Sequence, residues 1–285
     1  MKIVWLASYP KSGNTWCRAF LLNLQSDAQE PVSINALNSI PVASDRKLFD
    51  SLTGISASGL TEREICRLRP RVYEQLAGEA NERIFLKIHD AFAPVSDEES
   101  LLSDKATEGA VYIIRNPLDV AVSMSHHMAH DIDRVISNMI DEEYGIDLHA
   151  ERPGAQLPQH LGSWSQHVLS WLQAPSLRLH VVRYEDLKRE PLEAFTGIAS
   201  FVGWEKREEQ IERAMRFSDF KELKKQEQEH GFAERSPQAA SFFRKGEVGG
   251  WRNVLTEEQV RRIVQHHADV MYRVGYLSRD GSLLC

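Results

Sequence analysis

Residues 3–16 read IVWLASYPKSGNTW, and this stretch decides the fold class. Residues 2–9 make an apolar run of strand length, which predicts a buried β-strand. Pro10, Ser12 and Gly13 then turn the chain, and a helical pattern runs from about Thr15 to Leu24. A strand that turns directly into a helix presents backbone N–H groups of the turn together with the unpaired N–H groups of the first helical turn. Such a corner is a cradle for an anion. Gly13 permits close backbone approach, while Lys11, Ser12 and Thr15 add donors. The lysine precedes the glycine, the reverse of GxxxxGK[ST], which argues against an ordinary ATP or GTP hydrolase.

The rest of the chain repeats the alternation. In residues 83–89 (RIFLKIH), Ile84, Leu86 and Ile88 fall on one strand face, and Phe85, Lys87 and His89 on the other. Residues 110–114 (AVYII) predict a strand ending at Arg115; Asn116 and Pro117 supply an N-cap and a first helical position for a helix running toward His130. Residues 177–184 (LRLHVVRY) predict a further strand, and residues from about Leu192 to Val202 a further helix. Strands alternating with helices predict an α/β fold with a parallel central sheet flanked by helices on both faces. With 285 residues, 42% of them hydrophobic, and no repeat or long linker, the chain is expected to form a single domain over 1–285. The polar, turn-rich stretches 30–80 and 131–160 are expected to be less regular and to carry binding loops.

A net charge of −7 argues against a broad nucleic-acid or membrane-binding surface, yet leaves room for a local basic pocket. Cys17, Cys66 and Cys285 are scattered, with neither zinc-site nor disulfide spacing, so a reducing compartment is expected. The opening apolar run is too short for a signal peptide, and no stretch approaches the length of a membrane span. A cytoplasmic location is the expectation.

Three further clusters carry chemistry. Arg115 lies at a strand end, with Ser123 two turns into the next helix; a guanidinium fork suits phosphate, and open parallel sheets bind ligands at such ends. Lys87 and His89 share a strand face, pairing a cation for developing charge with a base that works near neutral pH. Residues 243–252 (FRKGEVGGWR) set two cations before a run of glycines, the composition of a flexible clamp over an anion. The segments Ser125–His130 and Asp141–Tyr144 are candidate pocket material; the HHxxH pattern in the first lacks a convincing metal-ligand set. Phe20, Phe92 and Trp164 are either pocket walls or core.

Together, PKSGNTW (residues 10–16), RNPLDVAVS (115–123) and FRKGEVGGWRN (243–253) resemble the signatures of the 3′-phosphoadenosine-5′-phosphosulfate (PAPS)-dependent sulfotransferases. Supporting stretches are Gly162-Ser163-Trp164 with His167 and Trp171, Tyr184–Leu187, and Ser218–Lys221. The resemblance spans residues 2 to about 256 and implies a P-loop-nucleotide-kinase-like three-layer architecture. It implies that Lys11, Ser12, Gly13, Asn14, Thr15 and Trp16 hold the 5′-phosphosulfate, with Lys11 on the bridging oxygen and Trp16 against the adenine. Arg115 and Ser123, joined by Arg244, Lys245 and Gly246 of a late loop (about 241–252), would take the 3′-phosphate; Tyr184, Ser218 and Phe220 would enclose the adenine. His89 would be the general base and Lys87 a supporting cation, leaving adenosine 3′,5′-bisphosphate (PAP) as product. The acceptor would be a small molecule bearing a hydroxyl or amine, bound by loops at about 30–80 and 131–160.

Asn14 replaces a common threonine, and Asp90 replaces the commoner Leu or Pro after the histidine. The run RNVLTEEQVRR matches the short dimer motif of the animal enzymes only in part, so the resemblance leaves monomer and homodimer open. Rival readings are a nucleotide-dependent small-molecule kinase and a non-catalytic nucleotide-binding protein. The first is disfavoured by the Lys-before-Gly order and by the lack of a magnesium-binding signature. The second is disfavoured by the joint presence of Lys11, His89, Arg115 and Ser123.

Overall fold

Strand β1 (Ile3–Ser8) is buried at all six positions and pairs in parallel on both edges. On one side lies β2 (Ile84–Ile88), with Ala7 opposite Ile88; on the other lies β3 (Thr107–Ile114), with Ser8 opposite Ile113. Two residues of antiparallel ribbon, β4 (Gly145–Ile146) and β5 (Gln159–His160), stand apart from this sheet. Strand β6 (Leu179–Arg183) completes the order β2-β1-β3-β6, with Ile114 opposite Arg183. This computed structural model describes residues 2–93, 100–148, 154–236 and 238–284. Cys285 and residues 149–153 of the second expected loop lie outside them.

Eleven α-helices occur among the described residues. Those on one sheet face are α2 (Arg46–Thr53), α3 (Glu62–Glu79), α4 (Pro117–Met128), α5 (Ile132–Ile140), α6 (Trp164–Leu172) and α11 (Glu257–Arg273), packed on Trp5, Leu86, Ile88 and Tyr112. The other face, through Val4, Leu6, Val111 and Ile113, carries α1 (Asn14–Ser26), α7 (Tyr184–Arg189), α8 (Pro191–Phe201) and α9 (Glu208–Phe217). Helix α10 (Phe220–His230) packs through Leu223 with Ala19 of α1, Phe232 and Phe243, tying the late chain to the sheet edge. Burial on both faces is why the strands read as continuous apolar runs. The three layers of the sequence-based expectation are present. Among the described residues, no helix is long and apolar enough to cross a membrane.

The expectation of irregular chain over 30–80 needs correction. Helix α3 runs for 18 residues, and its start is a capping box: Thr61 Oγ1 accepts from Glu64 N while Glu64 accepts from Thr61 N. Its polar surface and the internal Pro70 hide the apolar stripe of Ile65, Val72, Tyr73 and Ala77. Helix α5 likewise makes 132–140 regular.

Asp90 finds its explanation here. Its two carboxylate oxygens each accept from Arg69 of α3 at 2.7 Å; Arg69 Nε donates to Tyr73 Oη at 2.8 Å, and that hydroxyl donates to Ala43 O at 2.9 Å. All of these side chains are buried. The pair locks α3 to the end of β2, immediately beside His89. Removing one partner of such a pair leaves a lone buried charge, so Asp90→Ala is expected to lower unfolding free energy by about 3–5 kcal/mol in urea titrations. A loss below about 1 kcal/mol would contradict the locking role.

Candidate active site

The sheet order reverses between β1 and β3, and the loops leaving those strands diverge around a crevice, the position where open parallel sheets bind ligands. The β1 loop is held in an unusual shape: Lys11 has φ +66° and Gly13 φ +108°. A Cβ on Gly13 would lie 2.7 Å from the Tyr184 ring, so this glycine serves that ring as well as the backbone. Helix α1 begins without a side-chain cap, unlike α4, where Asn116 Oδ1 accepts from Leu118 N at 3.0 Å. The positive end of α1 is therefore left to whatever enters the crevice.

The crevice opens into a cavity of about 930 Å³, within the size range of small-molecule sites. Lys11, Gly13, Asn14, Thr15, Trp16, Lys87, His89, Arg115, Ser123, Tyr184, Phe220, Arg244, Lys245 and Gly246 all line it. Six segments widely separated in sequence thus line one cavity. Two expected residues do not. Ser12 is fully buried away from the wall, and Ser218 ends α9, donating to Ala214 O at 2.8 Å. Asn14 directs Nδ2 back to Leu6 O at 2.7 Å, pinning the turn, so its side chain serves the loop.

At one end, Trp16, Tyr184 and Phe220 surround Lys188, whose Nζ lies 4.5, 5.9 and 5.7 Å from their ring centroids. This aromatic slot suits a planar base. Beside it, Arg115 donates to Lys11 O at 2.9 Å and to Glu247 O at 3.0 Å, with its guanidinium 4.2 Å from the Tyr184 ring. Arg115 thereby ties the β1 loop to the late loop. Tyr184 Oη donates to Gly246 O at 3.0 Å, and a Cβ on Gly246 would strike the Phe220 ring at 2.4 Å. Asp119 closes the late loop from α4, accepting from Gly249 N at 2.7 Å and Trp251 N at 3.0 Å.

At the other end, His89 Nδ1 lies 2.7 Å from Ser8 O. A carbonyl can only accept, so Nδ1 carries the proton and Nε2 is left as a lone-pair base. Burial, with Lys87 nearby, holds this imidazole well below its usual pKa, so it is neutral and able to accept a proton. Its backbone is fixed from α6: Tyr112 Oη donates to His167 Nδ1 at 2.8 Å, and His167 Nε2 donates to His89 O at 3.0 Å. Trp171 Nε1 donates to Asp90 O at 3.1 Å. Glu234 accepts from Lys87 at 3.2 Å and pairs with buried Arg18 at 2.7 Å; despite burial, those cations hold its carboxyl below the usual range.

Lys188, Glu234, Arg18 and the capping role of Asp119 were not foreseen, and no local pattern marks the first three. Of the candidate pocket material, His127, Met128 and His130 line the cavity, whereas Asp141–Tyr144 do not. Phe20 and Trp164 are fully buried core, and Phe92 packs against that core.

An uncapped helix start, a cluster of cations and a neutral imidazole around one cavity suit an enzyme that transfers an anionic group. Comparison with known proteins gives the family. Residues 2–275 match the sulfotransferase domain, so the chain belongs to the sulfotransferase family and is a sulfotransferase. It is 26% identical to the flavonol 3-sulfotransferase of Flaveria bidentis, over 91% of this chain and 78% of that protein. It is 27% identical to sulfotransferase 1A1 of Bos taurus, over 93% and 82%. A mouse sulfotransferase solved with PAP superposes with a TM-score of 0.60 at 20% identity, over 95% of this chain and 84% of that one. A retinol dehydratase solved with retinol and PAP gives 0.63 at 20% identity, over 100% and 84%. At these identities the solved structures establish the fold.

Burial, then Lys87 and Arg115, lower the Lys11 pKa to about 7. An anionic ligand favours the ammonium and raises that value, so binding takes up a proton above pH 7. Affinity for PAP is expected to fall as pH rises from 7 to 9, by up to about tenfold per unit. Calorimetry in buffers of different ionisation heat measures the uptake. Lys11→Gln should abolish the slope, and a wild-type affinity independent of pH would refute this role.

Proposed function

We propose that this chain moves the sulfuryl group of PAPS onto a hydroxyl, or an amine, of a small-molecule acceptor, releasing PAP. The observation that carries this reading is the convergence of Lys11, His89 and Arg115 on one cavity at the C-terminal edge of the sheet. The PAP complexes of the fold relatives and the flavonol acceptor named for a curated relative are consistent with it.

In this reading the uncapped start of α1 and the β1-loop amides hold the 5′-phosphosulfate. Arg115, Ser123 and the 244–246 loop take the 3′-phosphate, and Trp16, Tyr184 and Phe220 receive the adenine. His89 Nε2 removes the acceptor proton as the acceptor oxygen bonds to sulfur. The bond from sulfur to the bridging oxygen breaks, and Lys11 stabilises the charge gathering on the departing phosphate. Transfer of this kind resembles loose in-line phosphoryl transfer, in which positioning and charge stabilisation dominate. Ser218 acts through the helix end that its hydroxyl bonds, and Ser12 lies buried behind the loop. A cytoplasmic site of action fits the cytosolic enzymes among the relatives.

Turnover of labelled PAPS tests the assignment. His89→Ala is expected to lower kcat by about 10²–10⁴ while leaving PAP affinity within a few-fold. Near-normal turnover would remove His89 from the mechanism. Arg115→Ala is expected to weaken PAP by at least about tenfold in calorimetry, because charged hydrogen bonds to phosphate are lost. Unchanged affinity would refute the 3′-phosphate role.

A further inference from the structure

The acceptor end of the cavity holds polar atoms that the protein itself leaves unused. Gln159, on β5, is 1% exposed and lines the cavity. Its Nε2 donates to Gln156 Oε1 at 2.9 Å, an oxygen that also accepts from Ser44 Oγ at 3.0 Å. The amide is thus turned so that Oε1 faces away from Gln156, and Oε1 has no partner among the described residues. Gln159 sits beside the base: its neighbour His160 accepts through its carbonyl from Ala91 N at 2.8 Å, two residues past His89. In the same lining, α4 and the residue following it but one supply His127 and His130, whose Nδ1 atoms are also buried and without partners among the described residues. Burial, then Lys11 and Lys87, bring the His127 pKa down to about 4, so at neutral pH its ring offers one donor and one acceptor.

Buried polar atoms are nearly always satisfied, yet these three are already shut off from solvent and unpaired among the described residues; an apolar acceptor leaves them stranded, whereas the hydroxyls of an acceptor, reaching them with small side-chain shifts, would pair them. We propose that the acceptor is hydroxyl-rich, a polyol or sugar-like molecule, whose reacting hydroxyl meets His89 while neighbouring hydroxyls bond Gln159 Oε1 and the His127 and His130 imidazoles. This rests on the sulfuryl-transfer reading above and narrows it to an acceptor class. A site built to bond substrate hydroxyls discriminates strongly against molecules that lack them, because its own polar groups are then stranded.

The test uses the full-length protein, labelled PAPS, a panel of 4-nitrophenyl hexosides and, as the apolar single-hydroxyl probe, 2-naphthol. The expected result is a kcat/KM at least about tenfold higher for some hexoside than for 2-naphthol. Gln159→Leu should cut hexoside kcat/KM by about 10–100-fold, leave 2-naphthol turnover equal or higher, and leave PAP affinity unchanged. His127→Phe, which keeps the ring volume, should shift the preference in the same direction. A preference for 2-naphthol, hexoside turnover insensitive to both variants, or no hexoside turnover in protein that binds PAP would overturn the inference while leaving the sulfuryl-transfer reading intact. Failure to bind PAP would sink both.

Discussion

The structure depends on keeping several like charges close together in a poorly solvated place. Lys11, Lys87 and Arg115 all face one cavity, and each lowers the ease with which a neighbour is charged. In water such a cluster would disperse; here it is held by backbone carbonyls, a carboxylate and an aromatic ring. Arg115 is fixed by two carbonyls from different loops, and Lys87 is restrained by Glu234. Lys11 lies 3.9 Å from the centre of the Phe242 ring. A polyanionic ligand relieves the repulsion, and the cations need not reorganise when charge develops during transfer.

Much of the remaining architecture reads as support for that arrangement. The late chain is pinned through carboxylates that accept from backbone N–H groups: Glu227 from Phe242 and Phe243, and Asp119 from Gly249 and Trp251. His89, the proposed base, is held separately. Ser8 sets the His89 tautomer, His167 and Trp171 hold the following backbone, and the Arg69–Asp90 pair ties that segment to α3. In the proposed reading, nucleotide grip and proton abstraction are therefore supported by different side chains, so substitutions can separate them.

Where function follows from local backbone geometry, the sequence was legible. The strand-turn-helix at residues 3–24 needs only an apolar run, Pro10, Gly13 and a helical pattern, and Arg115 is marked by the strand before it and the Asn116-Pro117 start after it. Side-chain direction was harder. Ser12, Asn14 and Ser218 all belong to binding-type motifs, yet Ser12 is buried, Asn14 turns its amide nitrogen back to Leu6 O, and Ser218 donates into the last turn of its own helix. Lys188 reaches the aromatic slot because α7 starts where β6 ends, and Glu234 reaches Lys87 across 147 residues; neither position carries a local pattern. Helix α3 was hidden by its charged surface, although its Thr61–Glu64 capping box could have announced it.

The central claim is that separate segments grip the two ends of one adenosine carrier, and that Arg115 at the second phosphate gives selectivity. Calorimetric titration with PAP, 5′-AMP and ATP–magnesium tests this most directly. The account predicts that PAP binds at least about tenfold more tightly than 5′-AMP, which lacks the 3′-phosphate, and more tightly than ATP–magnesium. Equal affinity for PAP and 5′-AMP, or a preference for ATP–magnesium, would contradict it.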